Sequence, residues 1–200
     1  MPVRKVAVVT AGLSKPSSTR LLADQLAKAT SSALAEREVE TEVEVFELRD
    51  LALDITNNLL TGFPSPALRT VIEAVTAADA LIAVTPVFTA GYSGLFKSFF
   101  DVLDTGALAG KPALIGATGG TERHSLVLDY QMRPLLAYLR AEPVPTGVYA
   151  ASSDWGSTDQ GGLHARVKRA AGELADRVAG RAPQEAGIEA VVPFEKLLFG

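Results

Sequence analysis

The sequence predicts a doubly wound α/β fold, with a five-stranded parallel sheet in the order 2-1-3-4-5 and helices on both faces. The main observation is that five apolar runs of strand length alternate with five segments of helical periodicity, which is the pattern of βαβ units. Five strands are too few to close an eight-stranded barrel. The 200 residues suit one domain with a full core, so we expect a single domain at residues 1–181 and a C-terminal tail at 182–200.

The five predicted strands differ in their expected exposure. Three runs are almost continuously apolar, as strands covered on both faces are: "KVAVVTA" (5–11), "ALIAVT" (80–85) and "KPALIGAT" (111–118). The run "TEVEVFEL" (41–48) alternates polar and apolar residues, which predicts a half-exposed strand at the edge of the sheet. The segment "EPVPTGVYA" (142–150) is the fifth predicted strand.

Helices are predicted after each strand because apolar residues recur there at the spacing of one helix face. Their expected ranges are 19–37, 65–78, 93–104, 122–141 and 161–180. Ser65 followed by Pro66 is the pattern of an N-cap and a first helical residue. Pro134 lies inside the fourth helical pattern and leaves the carbonyl of Tyr130 without its helical partner. We therefore expect the helix to kink, end or bulge there, and a π-type bulge near Tyr130 is one solution. The alternative is a plain proline kink with Tyr130 in the core.

Composition excludes several classes of site. The chain has no cysteine, which removes disulfides and thiolate chemistry, and its formal charge of -4 disfavours nucleic-acid binding. No apolar run approaches about 20 residues, and the N-terminal run leads directly into the first strand. We therefore expect a cytoplasmic protein without a signal peptide or a membrane span. His124 and His164 have no carboxylate at ligand spacing, so no metal site is predicted.

The loop after the first strand is a candidate anion site. In doubly wound sheets, ligands bind beyond the carboxyl ends of the strands, at the switch between strands 1 and 3. The segment "AGLSKPSSTR" (11–20), here called the hydroxyl loop, lies there and leads into a helix N-terminus, which favours anions. Neither a dinucleotide fingerprint nor a P-loop pattern is present. The alternative is that one hydroxyl only caps the helix. The candidate ligands of a terminal phosphate are Ser14, Ser17, Ser18 and Thr19.

The loop after the third strand suits a planar aromatic ligand. Pro86 restricts the exit from the strand, and Val87 and Phe88 offer an apolar surface in the segment "TPVFTAGYSG" (85–94), here called the apolar loop. The alternative is a structural loop with a buried phenylalanine and a capping Ser93.

The loop after the fourth strand contains two glycines, whose backbone N–H groups no side chain shields from a ligand. In "ATGGTERHS" (117–125), here called the glycine loop, Thr118 precedes Gly119 and Gly120. Their N–H groups are able to donate hydrogen bonds to a carbonyl or a ring nitrogen of a ligand. The alternative is a turn before a helix. All three loops leave the same edge of the predicted sheet, and this convergence favours a single ligand site.

These segments together resemble the NADPH-dependent FMN reductase family, which is flavodoxin-like in fold. The resemblance covers about residues 3–180 and is strongest to the reductase components that supply reduced flavin to two-component monooxygenases. The pattern T-P-x-[YF]-x-x-x-Y-S-G-x-x-K is its most specific part. The segments that carry it are "SKPSSTRLL", "TPVFTAGYSGLFKSFFDVL" and "GATGGTERHSLVLDYQMRPLL".

The resemblance implies a role for each candidate residue. The named residues of the hydroxyl loop would bind the FMN phosphate, those of the apolar loop would line the ribityl chain and the ring, and those of the glycine loop would approach the polar edge of the ring. Lys15 and Phe88 stand where many relatives have an arginine and a tyrosine. No catalytic side chain is expected, because the flavin itself accepts hydride from the nicotinamide.

The implied function is reduction of FMN by NADPH or NADH, followed by supply of the reduced flavin to a monooxygenase partner. The resemblance also implies a homodimer or homotetramer whose interface elements are the helix after Ser93 and the helix that holds Tyr130. We hypothesise that Tyr130 lies at this interface near the flavin and helps control flavin release. The alternatives are a reductase of quinones or azo compounds that keeps its FMN and a flavodoxin-like electron carrier. The apolar tail at 187–200 is a candidate contact for the same subunit, a neighbour or a partner.

Overall fold

The computed structural model describes residues 3–156 and 162–180. The predicted tail at 182–200 lies outside the described residues. The strands are β1 (Arg4–Thr10), β2 (Thr41–Glu47), β3 (Ala80–Phe88), β4 (Gly91–Tyr92), β5 (Pro112–Gly119), β6 (Glu142–Pro143) and β7 (Val148–Ala151). The α-helices are α1 (Ser18–Ala35), α2 (Ala52–Thr61), α3 (Pro66–Ala77), α4 (Gly94–Asp101), α5 (Arg133–Tyr138) and α6 (Leu163–Ala179). A π-helix at Leu128–Met132 and short 3₁₀ turns at Leu48–Leu51, Glu122–His124 and Ser152–Gly156 complete the described elements.

The sheet confirms the predicted doubly wound order. Its strands follow the order β2-β1-β3-β5-β6, with β7 also paired to β5 and β4 paired to β3. All pairings along the main path are parallel. The polar and apolar alternation of β2 is also explained, because β2 is the edge strand and buries only Phe46 of its side chains.

The predicted number of strands was wrong, since the structure has seven rather than five. The segment 142–150 forms two short strands: β6 pairs with Pro112 and Ala113 of β5, and β7 pairs with residues 116–119 of the same strand. Pro145 lies between them and has no N–H for the ladder. The other additional strand, β4, returns along the end of β3 as an antiparallel hairpin.

Helices on both faces of the sheet produce two hydrophobic clusters. Along β1, Val6 and Val8 belong to the cluster under α1 and α6, whereas Ala7 and Val9 belong to the cluster under α2 to α5. This alternation follows from the two-residue period of a strand, and it explains why the central strands are apolar on both faces. Across the described ranges, we find no helix with the length and hydropathy that a membrane span requires.

The bulge expected ahead of Pro134 is confirmed. Residues 128–132 form a π-helix that contains Tyr130, and Pro134 is in the first turn of α5, where its missing N–H is tolerated. The helix predicted at 122–141 is therefore divided into a 3₁₀ turn, the π-helix and α5. Ser65 also caps α3 as predicted, accepting a hydrogen bond from the N–H of Leu68 at 3.2 Å.

Helix α2 was not predicted. Its buried side chains are Ile55 and Asn58, whereas Leu53 and Leu60 are 81% and 80% exposed. Apolar residues therefore occupy the outer face as well as the inner one, so no single stripe marks the helix in the sequence. Gly62, with a φ of 77°, ends it.

Lys111 connects the start of β5 to the end of α3. Its side chain is buried, and its ammonium donates to the carbonyl of Thr76 at 3.1 Å and to that of Ala78. We expect Lys111→Met to lower the free energy of unfolding by about 1–3 kcal/mol, because methionine fills a similar volume but cannot donate to these carbonyls. Urea titration measures this change. The matched control is Lys168→Met on the exposed side of α6, for which we expect less than about 0.5 kcal/mol; equal losses in both variants would contradict the assigned role.

Candidate functional site

The three candidate loops meet at one edge of the sheet. Strand β1 pairs with β3 up to Thr10 and Val84, and β3 pairs with β5 up to Pro86 and Thr118. The carboxyl ends of these strands are therefore neighbours, as ligand sites in doubly wound sheets require. The structure brings together at this edge all the candidate residues: Ser14, Ser17, Ser18, Thr19, Pro86, Val87, Phe88, Thr118, Gly119 and Gly120.

The hydroxyl loop ends in a capped helix N-terminus. Ser17 is the N-cap of α1 and accepts a hydrogen bond from the N–H of Arg20 at 3.2 Å. A Cβ added to Gly12 would lie 2.1 Å from Ser17 Oγ, which means that only glycine lets the loop fold this closely over the cap. Ser14 and Ser18 are exposed at the surface of the loop. The helix end supplies the partial positive charge that an anion prefers.

Two buried threonines connect the hydroxyl loop to the glycine loop. The hydroxyls of Thr19 and Thr118 lie 2.8 Å apart, and the two residues are 2% and 4% exposed. Either hydroxyl can be the donor. Because each has one proton, one O–H remains for a ligand while the other holds α1 against the end of β5.

Thr10 is a site residue that the sequence did not indicate. It is the last residue of β1 and is 1% exposed, and its hydroxyl has no hydrogen-bond partner among the described residues. A buried hydroxyl without a partner costs about 1–3 kcal/mol. Because Thr10 lies directly before the hydroxyl loop, it is a further candidate residue at this edge.

The apolar loop is a tight hairpin rather than an open loop. Strand β3 runs past Thr85 to Phe88, and the chain turns back into β4 through Thr89 and Ala90, whose φ angles are 48° and 67°. Non-glycine residues rarely adopt such angles. Thr85 closes the base of the hairpin by accepting the N–H of Ser93 at 3.0 Å. Ser93 in turn caps α4, as the alternative stated, but the buried phenylalanine of that alternative is wrong, since Phe88 is 46% exposed.

The side chains of the hairpin become steadily more exposed along the chain. Pro86 is buried, Val87 is half-buried and Phe88 is 46% exposed. They provide an apolar surface at the edge of the sheet. The π-helix supports the tip of this hairpin, since Gln131 Nε2 donates to the carbonyl of Ala90 at 3.1 Å.

Tyr149 supports the glycine loop from β7. Its hydroxyl donates to the carbonyl of Thr121 at 2.7 Å, and a Cβ on Gly119 would lie 2.1 Å from that hydroxyl. Glycine is therefore required at position 119 for a packing reason. Burial raises the pKa of the Tyr149 phenol, and the charges of Glu122 and Asp154 raise it further. The phenol consequently remains protonated, and able to donate, at neutral pH.

A second contact joins the glycine loop to the turn after β7. Ser153 Oγ donates to Glu122 Oε1 at 2.6 Å, and this hydrogen bond is the main reason that the pKa of the Glu122 carboxyl is lowered. Stabilisation from a lowered carboxyl pKa is present above the ordinary value and is lost as the pH falls. The contact is therefore intact at neutral pH.

A charged cluster lies beside the hydroxyl loop at the end of β2. Glu47 Oε1 accepts a hydrogen bond from Arg20 Nη1 at 2.6 Å, and Glu47 also forms an ion pair with Arg49. Arg20 also donates to Asp24 at 2.8 Å, and this bond is the main reason that the Arg20 pKa is raised. Arg49 reaches the loop itself, since its Nη1 donates to the carbonyl of Ser14 at 2.6 Å.

Comparisons with known proteins identify the family of this chain. The family model for NADPH-dependent FMN reductase matches residues 4–156. The chain is 36% identical to FMN reductase (NADPH) of Pseudomonas aeruginosa over 88% of this chain and 94% of the relative. It is 37% identical to the NADH-dependent FMN reductase SfnF of Pseudomonas fluorescens over 76% of this chain and 78% of the relative.

A solved structure has the same fold. The X-ray structure of an oxidoreductase from Corynebacterium diphtheriae matches with a TM-score of 0.87 and 47% sequence identity, covering 90% of this chain and 99% of that one. The matched family segment contains the hydroxyl, apolar and glycine loops and the strands that position them. The chain therefore belongs to the NADPH-dependent FMN reductase family.

Proposed function

We propose that this chain, an NAD(P)H-dependent FMN reductase by family, binds FMN at the edge formed by the hydroxyl, apolar and glycine loops and passes the reduced flavin to a monooxygenase partner. The observation that carries the proposal is the convergence of a helix N-terminus, an apolar surface and bare backbone at one sheet edge. These three features match the three chemical parts of FMN: a phosphate, a flat ring system, and the polar edge of that ring.

The residues present fit FMN. The phosphate is assigned to the N-terminus of α1, where Ser14, Ser17 and Ser18 surround the capped helix end. The unpartnered hydroxyl of Thr10 gives an independent reason for a polar ligand at this point. Thr19 contributes through its pair with Thr118 rather than as a freely exposed hydroxyl.

The ring is assigned to the apolar and glycine loops. Pro86, Val87 and Phe88 supply the apolar side, and Thr118, Gly119 and Gly120 supply the polar side. FMN supplies the hydride acceptor when it is bound. The role of these residues is therefore to bind and orient the ring, and we assign no catalytic side chain.

The proposal covers both nicotinamides, since the matched relatives include an NADPH-dependent and an NADH-dependent reductase. The monooxygenase partner is supported by the resemblance to the reductase components of two-component systems. The cytoplasmic location expected from the sequence is also part of the proposal.

A homodimer or homotetramer is part of the proposal as well. The surface around the π-helix exposes Leu126, Tyr130 and Tyr138, which are 60%, 75% and 80% exposed. Large apolar side chains grouped on one surface favour association. Helix α4, in contrast, directs Phe96, Phe99 and Phe100 into the core. Helix α2 exposes Leu53 and Leu60 to a similar extent. We assign the interface to the π-helix surface because Gln131 of the π-helix contacts the hairpin of the proposed flavin site.

The first test is NAD(P)H oxidation by the purified protein with and without added FMN. We expect turnover that rises with free FMN and saturates, for NADPH, NADH or both, because the flavin is used as a substrate. Absorbance at the nicotinamide band measures the rate. Turnover that needs a quinone or azo acceptor and not free FMN would favour the first alternative, and bound flavin without NAD(P)H oxidation would favour an electron carrier.

The second test concerns Tyr149. We expect Tyr149→Phe to weaken FMN binding by about two- to tenfold, because the glycine loop loses one hydrogen bond to its support. The raised pKa of the phenol keeps it protonated up to its ordinary value of 10.0, so the ratio between wild type and variant should stay constant from about pH 6 to 9. Quenching of flavin fluorescence measures the affinity. Thr70→Val, which removes an exposed hydroxyl from α3, is the control and should bind FMN as the wild type does.

The third test concerns the interface. We expect Tyr130→Ala to shift the protein towards smaller species in sedimentation velocity and to alter FMN affinity, because a large exposed ring is removed from the proposed contact. Lys168→Ala on α6 is the control and should sediment as the wild type does. An unchanged oligomeric state and an unchanged FMN affinity in Tyr130→Ala would reject the proposed interface.

A further inference from the structure

We propose that Arg49 is a positioning residue for FMN, which fixes the hydroxyl loop in the conformation that receives the phosphate. This inference rests on the proposed function, since it uses the assignment of the phosphate to that loop. Arg49 belongs to neither the loop nor helix α1. It lies in the 3₁₀ turn directly after β2.

The first argument is the contact between Arg49 and the loop. Arg49 Nη1 donates to the carbonyl of Ser14 at 2.6 Å, and only 15% of the arginine side chain is exposed. Among the described parts of the chain, this is the hydrogen bond that attaches residues 12–16 to another element. The loop residues on either side are held differently, because the N–H of Ala11 donates to Val84 of β3 and Ser17 caps α1.

The second argument is that Arg49 is itself held in place. One oxygen of the Glu47 carboxylate pairs with Arg49, and the other accepts from Arg20 Nη1 at 2.6 Å. Arg20 lies in the first turn of α1. The Glu47 carboxylate therefore connects Arg49, which holds the loop, to α1, the helix that follows the loop. A guanidinium group can hold two partners at once in a fixed plane, and a lysine ammonium cannot reproduce that geometry.

The third argument separates a geometric role from simple attraction of the anion. Glu47 pairs with Arg49, and Asp50 Oδ1 lies 3.8 Å from Arg49 Nε. These carboxylates offset the charge of the arginine at longer range. Arg49 Nε is buried and has no hydrogen-bond partner among the described residues, so the contact of Arg49 with the loop is the one made by Nη1. We assign the contribution of Arg49 to phosphate binding to the shape of the loop.

The fourth argument is the direction of the peptide between Ser14 and Lys15. In a trans peptide, the carbonyl and the following N–H point in opposite directions. By binding the carbonyl of Ser14, Arg49 turns the N–H of Lys15 away from itself. Pro16 has no N–H, so the Lys15 N–H is the last backbone donor before Ser17. Without Arg49 this peptide is free to rotate, and its carbonyl oxygen would repel a phosphate where an N–H would attract it.

The test compares FMN with riboflavin, which has the same ring but no phosphate. We expect Arg49→Met to raise the Kd for FMN by about tenfold or more, equivalent to about 1.4 kcal/mol, and to change the Kd for riboflavin by less than about twofold. Quenching of flavin fluorescence measures both constants in the full chain. Arg169→Met removes an exposed arginine from α6, and both of its Kd values should equal those of the wild type.

Arg49→Lys is the second variant, and the same two Kd values are measured with it if Arg49→Met does not fold. Lysine keeps the positive charge but lacks the planar set of donors of a guanidinium group. We therefore expect an intermediate rise in the Kd for FMN and again no change in the Kd for riboflavin. Equal rises for FMN and riboflavin in a folded variant would indicate a general structural role and overturn the inference. An unchanged Kd for FMN would overturn it as well.

The Kd values of the wild type for FMN and riboflavin distinguish a failure of this inference from a failure of the proposed function. A wild type that binds FMN more tightly than riboflavin supports a phosphate site, and the variants then decide whether Arg49 shapes it. A wild type that binds the two flavins equally would overturn both the phosphate assignment and the role of Arg49. A wild type that binds neither flavin would reject the proposed function itself.

Discussion

The parallel pairing of β1, β3 and β5 is the constraint on which the rest of the structure depends. Each of these strands ends at the same edge of the sheet, and each is followed by a loop with a different chemical character. Parallel strands need crossover connections, and those connections cover both faces with helices. The middle of each strand is therefore apolar, and the chain offers polar groups to a ligand near the carboxyl ends, at Thr10, Thr85 and Thr118 and in the loops that follow.

The candidate site is built from loops that other elements hold in place. Arg49 holds the hydroxyl loop, Gln131 of the π-helix holds the tip of the apolar hairpin, and Tyr149 of β7 holds the glycine loop. The Thr19–Thr118 pair then joins the first loop to the third across the sheet edge. A flavin site needs this arrangement because the protein's contribution to hydride chemistry is orientation, which depends on loops that keep their shape.

Some of the strained and irregular segments lie around this edge, although Glu38 and Arg140 also adopt positive φ angles elsewhere in the described chain. Thr89 and Ala90 adopt left-handed backbone angles at the tip of the apolar hairpin, and the π-helix that contacts this tip exposes Tyr130 to its surroundings. Such features persist only where the surrounding structure holds them, and they occur often at functional sites. Their position links the proposed ligand site to the proposed subunit interface through a single hydrogen bond from Gln131.

The sequence by itself determined the features that depend on local chemistry. Apolar runs marked the central strands, Ser65 and Pro66 marked the start of α3, and Pro134 marked an interruption of the helical pattern, which the structure forms as a π-helix around Tyr130. Tertiary structure alone decided the rest. Helix α2 was missed because its apolar residues lie on two faces, and the division of the fifth strand depended on how each half pairs with β5. The supports of the site come from partners 99, 35 and 28 residues apart in the chain. No local pattern encodes such contacts, because folding of the sheet is what brings these residues together.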